Sequence, residues 1–461
     1  MPATLTDDRS GAIPITAILT RDFAAWKRRQ PPATSAWLGA IGFSGEAGRT
    51  ALIPDAEGRL AGVVQAVGPD DSIWALAGLP DSLPEGSYRL DFDAEALFGA
   101  GGGTKVALGW ALGSYAFTRY KPARRGFARL VWPQSADRGE VERLAAGVIL
   151  ARDLVNTPAE DMGPAELAAA IETVAAAHGA AVRQIVGEDL LAENYPTIHA
   201  VGRGSARAPR LIDLTWGNPG DPKVTLIGKG VCFDTGGYDL KPAASMKMMK
   251  KDMGGAATVL GLAQAIMAAG LPIRLRLLVP AVENFVSANA FRPMDVFTTR
   301  KGVTVEIGNT DAEGRLILCD ALAEAGTEQP ELLIDIATLT GAARVALGPE
   351  LPALFCNDEA VAASLLAVGT AESDPLWRLP LWKPYRRLLD SKVADLNNAP
   401  EGGLAGAVTA ALYLQEFVEP GIPWIHIDTF AWNQATRPGR PEGGEALCLR
   451  SLYRFIQHRF S

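Results

Sequence analysis

The sequence predicts an α/β protein: a small N-terminal α/β domain and a larger C-terminal domain with a mainly parallel sheet covered by helices on both faces. Three observations lead there. At 461 residues the chain is too long for one ordinary domain. Up to about residue 135, short apolar runs are separated by turn-rich breaks. From Ala181 onward, apolar runs of strand length alternate with segments of helical period, the pattern of parallel strands joined by covering helices.

In the first part, residues 13–19, 37–43, 60–67, 73–79 and 130–132 read as strands and 106–117 as a helix. The run Gly99-Ala100-Gly101-Gly102-Gly103-Thr104-Lys105 lacks the order of a phosphate loop, which needs lysine directly after glycine and then Ser or Thr. It reads as a flexible turn before the helix. Residues 141–155 form an apolar-periodic helix that ends at Asn156-Thr157-Pro158, and a second helix over 164–178 has proline in its first turn. The expected division is therefore an N-terminal domain over 1–140, a linker helix and turn over 141–163, and a second domain over 164–461.

In the second domain the expected strands are 210–216, 224–233, 273–279, 303–307, 332–336 and 424–427. The expected helices are 256–269, 315–325, 360–368, 406–417 and 444–457, and the Pro/Gly-rich stretch 436–444 reads as a surface connection. Ligand sites in such sheets lie beyond the carboxyl ends of the strands, where Asp234 and Asp311 fall.

Composition sets the outer limits. With 48% hydrophobic and 21% charged residues the chain reads as an ordinary soluble protein, and a net charge of −8 gives no general attraction to nucleic acid or anionic membranes. The N-terminus lacks the basic start and apolar core of a secretory signal, and no apolar run reaches membrane-spanning length without polar interruption, so a cytoplasmic protein without a membrane partner is expected. Cys232, Cys319, Cys356 and Cys448 show no CxxC spacing and read as reduced thiols, Cys232 as a small core residue. His178, His199, His426 and His458 match no ligand spacing.

The chemistry lies in two charged clusters. Asn309-Thr310-Asp311-Ala312-Glu313-Gly314-Arg315-Leu316 sets two carboxylates two apart, with a guanidinium two further on, ahead of an apolar helix. Upstream, Lys229, Asp234, Lys241 and Asp252 lie among glycines. Four carboxylates brought together would repel and raise one another's pKa values, whereas they would neutralise two divalent cations. Oxygen ligands suit magnesium, manganese or zinc, and no histidine or cysteine except Cys232 falls in the constellation, which argues against a tetrahedral thiolate zinc site. Singly, Asp311 and Asp252 also read as helix caps and Glu313 as a first-turn acid on a helix dipole.

These stretches, with Gly228-Lys229-Gly230, Phe233-Asp234-Thr235-Gly236-Gly237, Lys241-Pro242, Asp252-Met253-Gly254-Gly255-Ala256-Ala257 and Ala337-Thr338-Leu339-Thr340-Gly341-Ala342, resemble the leucyl aminopeptidase (cytosol aminopeptidase) family, whose signature is the Asn309 to Leu316 block. The resemblance runs from about Arg152 to the C-terminus. It implies a two-metal exopeptidase that acts on peptides with a free N-terminus and assembles as a homohexamer, with the second domain catalytic. Asp234 and Glu313 would bridge two divalent ions, zinc or manganese. Lys229 and Asp252 would complete the tighter site and Asp311 the more exchangeable one, which could also take magnesium. Lys241 would polarise the scissile carbonyl, and Arg315 would hold a bicarbonate as general base. Met249, Thr338 and Gly341 would line the pocket for the N-terminal side chain.

Physical chemistry supports that division of labour. A lysine amine ligates a metal only when neutral, which at pH 7 costs about 4–5 kcal/mol from a reference pKa of about 10.4 and requires a strong local field. Lys241, without a metal bond, can stay protonated and act as an electrophile. The family's Ala-Asn-Met-Asp is Ala244-Ser245-Met246-Lys247 here, Arg-Pro-Gly-Asp is Arg292-Pro293-Met294-Asp295, and His-Leu-Asp-Ile-Ala-Gly becomes His426-Ile427-Asp428-Thr429-Phe430-Ala431. The last change, with Trp432, sets large rings near the pocket, so poorer handling of bulky N-terminal residues is expected. Two rival functions are a two-metal phosphoesterase, which no cluster of arginines supports, and a DNA-binding or regulatory role of the N-terminal domain. The second would rest on Lys121, Arg124, Arg125 and Arg129, which also read as a solvated surface.

Overall fold

The computed structural model describes residues 4–69, 73–123 and 125–461. The chain divides into two compact units, residues 1–145 with 435–442, and residues 146–434 with 443–461. The division falls inside the helix Arg138–Asn156.

The smaller unit holds a six-stranded sheet in the order Leu5–Thr6, Arg129–Val131, Ser87–Leu90, Ile13–Leu19, Leu60–Val67, Thr50–Pro54. Only Thr50–Pro54 runs antiparallel to its neighbour. The helix Gly102–Gly113 buries Trp110, whose indole donates to Ala128 O at 3.1 Å. It sits close because Gly109 has no side chain; a Cβ there would lie 1.9 Å from Ile73 O.

Two strands expected in this part are not strands. Residues 37–43 fall in and just past the helix Pro32–Ala40, which the fixed φ of Pro32 starts, with Leu38 as its buried residue. Residues 73–79 form turns that lead into the short helix Leu79–Ser82, and Ile73, Leu76, Ala77 and Leu79 are buried at irregular rather than alternating spacing. The strands Thr50–Pro54 and Ser87–Leu90 were not expected; both are short, and each buries only one residue. The stretch 435–442 belongs to this unit: Pro438 packs on Gly78, and the Arg440 guanidinium lies 4.5 Å over Trp74. Of the basic cluster, Lys121 and Arg129 are exposed, Arg125 donates to Leu83 O at 2.8 Å, and Arg124 lies outside the described residues.

The larger unit is organised by a nine-stranded sheet in the order Trp377–Arg378, Ala353–Cys356, Trp424–Asp428, Leu332–Ala337, Lys223–Gly228, Arg274–Asn284, Arg210–Trp216, Ala181–Val186. Gly230–Asp234 pairs with the far end of Arg274–Asn284. The centre is parallel, and antiparallel pairs occur only towards the edges. Leu332–Ala337 and Trp424–Asp428 are buried at every position, as strands covered on both faces are. One set of helices includes Pro164–His178, Gly254–Ala269 and Leu449–Phe460; another includes Pro196–Gly202, Glu313–Gly326 and Gly406–Gln415. Residues 249–269 are long and apolar enough to span a membrane, but 83% of that window is buried inside the protein, as a core helix is.

Three expectations for this unit change. The run 224–233 is two strands broken at Lys229, whose N–H donates to Ile336 O and whose C=O accepts from Ala256, both at 3.0 Å. Thr304–Glu306 lies outside the large sheet, in a three-stranded one with Val296–Thr298 and Leu396–Asn397. The last helix starts at Leu449, because Gly443–Gly444 instead pairs with Trp432–Asn433. All four cysteines are buried and free.

Candidate metal centre

Each charged side chain of the two clusters is placed by a strand end or a helix start. Lys229 occupies the break between two strands, and Asp234 ends the second of them. Gly236 and Gly237 then turn the chain with φ of 88° and 64°, values that favour glycine. Asp252 sits in the 3-10 turn Met249–Met253, and Glu313 opens the helix Glu313–Gly326. A Cβ on Gly314 would fall 2.6 Å from Lys229 Cε, so glycine there leaves room for the lysine.

Asp234, Asp252 and Glu313 are buried, and each offers a carboxylate oxygen within 4.8 Å of the others. Lys229 Nζ lies 2.7 Å from Asp252 and 2.9 Å from Glu313, and donates to Thr338 O at 3.0 Å. Lys241 Nζ lies 2.7 Å from Asp234 and pairs with Asp311. Asp234 also accepts from Gly236 N at 2.8 Å and Asn284 Nδ2 at 2.9 Å, and Asp252 accepts from the Thr338 hydroxyl at 2.7 Å.

Four carboxylates here face two ammonium groups. Burial, then the charge of Asp234, pushes the Glu313 carboxyl up to about 8 and that of Asp311 up to about 6. Burial opposes the charge of Lys229, but Asp252, Glu313 and Asp234 outweigh it and hold the ammonium above its ordinary range; Lys241 is raised likewise, chiefly by Asp234. Glu313 Oε2 is buried without a hydrogen-bond partner. A dense carboxylate set short of positive charge, with an oxygen left over, fits hard divalent cations.

Arg315 is buried beside this cluster, donates to Asn398 O at 2.5 Å, and has an Nε without a partner. Burial pulls its pKa down. An unpaired guanidinium N–H suits a small anion.

One cavity of about 680 Å³ is lined by Lys229, Asp234, Lys241, Asp252, Asp311, Glu313 and Arg315, and equally by Met249, Thr338 and Gly341. All ten residues singled out from the sequence therefore meet at one place. Phe430 lines it too and is nearly buried, while Trp432 does not line it.

Sequence reasoning missed the residues that orient these groups. Asn284 faces Asp234 in strand register and ties it to Thr310 O at 3.1 Å. Asp239 accepts from Thr310 N at 2.7 Å, and the Thr310 hydroxyl donates to Gly236 O at 2.6 Å, so the glycine turn and the 309–312 loop are fastened together. Asn398 accepts from Gly308 and Asn309 N–H at 2.8 and 3.2 Å. Asp428 takes the N–H groups of Leu339 and Thr340 at 2.9 and 3.2 Å. Thr310 and Asp428 lay in stretches already compared with the family; nothing local marks Asp239, Asn284 or Asn398.

Residues 149–453 match the catalytic domain of the cytosol aminopeptidase family, and residues 13–133 match the M17 aminopeptidase N-terminal domain. The chain belongs to the cytosol aminopeptidase family. A probable cytosol aminopeptidase from Syntrophotalea carbinolica is 42% identical over 367 residues, covering 76% of this chain and 73% of that one. The crystal structure of a cytosol aminopeptidase from Coxiella burnetii superposes with a TM-score of 0.95 at 47% identity, over 99% of this chain and 100% of that one. The bottromycin maturation enzyme BotP, in complex with Mn, gives 0.88 at 34% identity, over 98% and 100%. This member of the cytosol aminopeptidase family is a hydrolase acting on peptides, with the mixed α/β fold of its relatives.

Proposed function

We propose that the chain is a two-metal aminopeptidase that releases the N-terminal residue of peptides, with catalysis in the larger unit and no chemistry in the smaller. The observation that carries this is the buried Asp234, Asp252 and Glu313 cluster, with its orphaned Glu313 oxygen, on the wall of a cavity large enough for a peptide end.

Asp234 and Glu313 would be shared between two ions, Lys229 and Asp252 would complete one site, and Asp311 the other. The ions, when bound, supply the field that activates a water near neutral pH, and a bicarbonate at Arg315 supplies a proton acceptor. Lys229 gives its lone pair only after losing its proton, which its three acidic neighbours oppose until their charge is taken up elsewhere. Lys241 keeps its proton and aims it at the carbonyl oxygen of the bond to be cut, where negative charge develops. Asn284 and Thr338 hold Asp234 and Asp252 in orientation. A free α-amine is required because a ligand lone pair at the Lys229 side is what seats the substrate.

Manganese is the first ion to test, since BotP is seen with it, and zinc the second. The relatives' name supports a cytosolic enzyme, and the resemblance supports a homohexamer, which the mass in solution would check. The deciding experiment removes metal by chelation, restores Mn or Zn, and offers aminoacyl anilides, their N-acetylated forms and an aryl phosphate. Metal-restored cleavage of the free amines alone is expected; cleavage of the phosphate instead would overturn the reading. For the side-chain pocket, replacing Phe430 by alanine should raise kcat/KM for leucyl and phenylalanyl substrates relative to alanyl, because each added methylene is worth roughly 1–3 kcal/mol of discrimination. An unchanged ranking would place Phe430 outside the pocket.

A further inference from the structure

The cavity wall near Phe430 carries two cations that the metal chemistry does not use. Lys251 is only 5% exposed, yet its side chain makes no hydrogen bond or ion pair among the described residues; its ammonium lies 4.7 Å over the Phe430 ring. The Arg344 guanidinium lies 5.2 Å over the same ring, on the exposed face of the helix Gly341–Leu347, and it has no carboxylate partner among the described residues. Phe430 is fixed beside both by its loop: Thr429 N–H donates to Ala337 O at 2.9 Å, and Ala431 packs on Gly254, where a Cβ would come within 2.3 Å of the alanine methyl.

The acids around this cavity are already engaged. Asp239 is taken by Thr310 and Asp428 by Leu339 and Thr340. Asp234, Asp252, Asp311 and Glu313 match in charge the two divalent ions proposed above. Lys251 and Arg344 then remain as surplus positive charge on the wall of the side-chain pocket. The Lys251 ammonium opens onto the cavity with no carboxylate paired to it among the described residues, so a ligand that brings one gains a charge-assisted hydrogen bond. A ring beneath a cation stabilises it without neutralising it.

We infer that Lys251 and Arg344 make this pocket selective for acidic N-terminal residues, glutamyl and aspartyl, whose carboxylate would pair with them. This inference rests on the aminopeptidase reading. Lys251 lies in the turn beside Asp252, and its role here is to contact the substrate side chain, not the bond being cut.

Glutamyl and glutaminyl anilides are nearly identical in shape and differ in charge, so their kcat/KM ratio isolates the effect. The metal-reloaded wild type should favour glutamyl on the order of tenfold, the scale of a charge-assisted hydrogen bond. Lys251→Met should bring the ratio close to one, and Lys251→Arg should keep it above one. Arg344→Gln, at an exposed position where folding is not at stake, should lower the ratio as well. A wild type that cleaves leucyl anilide but does not distinguish glutamyl from glutaminyl would overturn the inference alone, as would a ratio unmoved by Lys251→Met and Arg344→Gln. Failure to cleave any aminoacyl anilide would overturn the aminopeptidase reading and this inference with it.

Discussion

Lys229 and Lys241 are the same amino acid in the same cavity, and their surroundings give them opposite tasks. Lys229 is 3% exposed between Asp252 and Glu313, inside a strand break that glycines on either side keep open. Lys241 is less buried and lies beyond the Gly236-Gly237 turn, between Asp234 and Asp311. Lys229→Ala is therefore expected to weaken one metal site, whereas Lys241→Ala keeps both metals and loses turnover. Metal content by atomic absorption beside kcat checks this, and equal metal loss in the two variants would refute the assignment. His426 makes a different point, because its role is in stability. Fully buried, its Nδ1 lies 2.6 Å from Asp335; burial disfavours the charged ring, yet the Asp335 carboxylate outweighs burial and raises its pKa. A raised folded-state value means the stabilisation is complete below the unfolded value of about 6.5 and is lost as pH rises through the folded one. The wild-type denaturation midpoint should thus fall with pH above about 6.5 more steeply than that of His426→Gln. Parallel slopes would show that the ring does not titrate with folding.

At the scale of elements, the site depends on loops held by residues far away in sequence. Asn398 is fully buried; besides accepting from Gly308 and Asn309, it donates to Asn309 O at 2.8 Å and Ala312 O at 3.3 Å. Its own carbonyl takes Arg315. Asn398→Ala strands the backbone groups of Gly308, Asn309 and Ala312, and the expected cost is about 2–4 kcal/mol of stability together with reduced turnover, because the loop that carries Asp311 loses its support while Arg315 keeps its bond to the backbone carbonyl. Urea denaturation and kcat on the same preparation test this; a stable variant with lowered kcat would show that the loop alone was loosened. Such distant partners explain what the sequence left unread. The ligand positions sit in contiguous motifs and were legible, but Asn284 and Asn398 enter only through strand register and a second sheet. The central parallel strands were legible because burial on both faces leaves them uninterrupted apolar runs. Apolar content misled where the spacing was not that of a strand, in 37–43 and 73–79, and the break at Lys229 was hidden because the flanking runs are both apolar. The edge strand Ala181–Val186 was missed because Arg183 and Gln184 interrupt its apolar run and only Ile185 is buried.

For the whole molecule, metal binding and folding of the larger unit are linked. Each unit has its own hydrophobic core, one built on Ile15, Tyr88 and Trp110, the other including Leu316, Leu333 and Trp424. The carboxylate cluster belongs to the second, at residues that the folded chain brings together from Asp234 to Glu313. An ion that binds the folded unit and not the unfolded chain stabilises it by about 2.7 kcal/mol at a concentration one hundred times Kd. For a unit this large, that corresponds to a shift of roughly 4 °C. Calorimetry of the chelated chain, titrated with Mn or Zn, should therefore show the transition of the larger unit moving upward with metal, while melting of the smaller unit's core does not follow it. Asp311→Ala and Glu313→Ala should each remove a metal and nearly all peptidase activity with the fold intact, and should blunt the shift. Glu313→Ala should have the larger effect, because that carboxylate is the more deeply buried and would serve both ions. Full metal content with normal activity in either variant, or a wild-type transition indifferent to metal, would show that these carboxylates hold no ion.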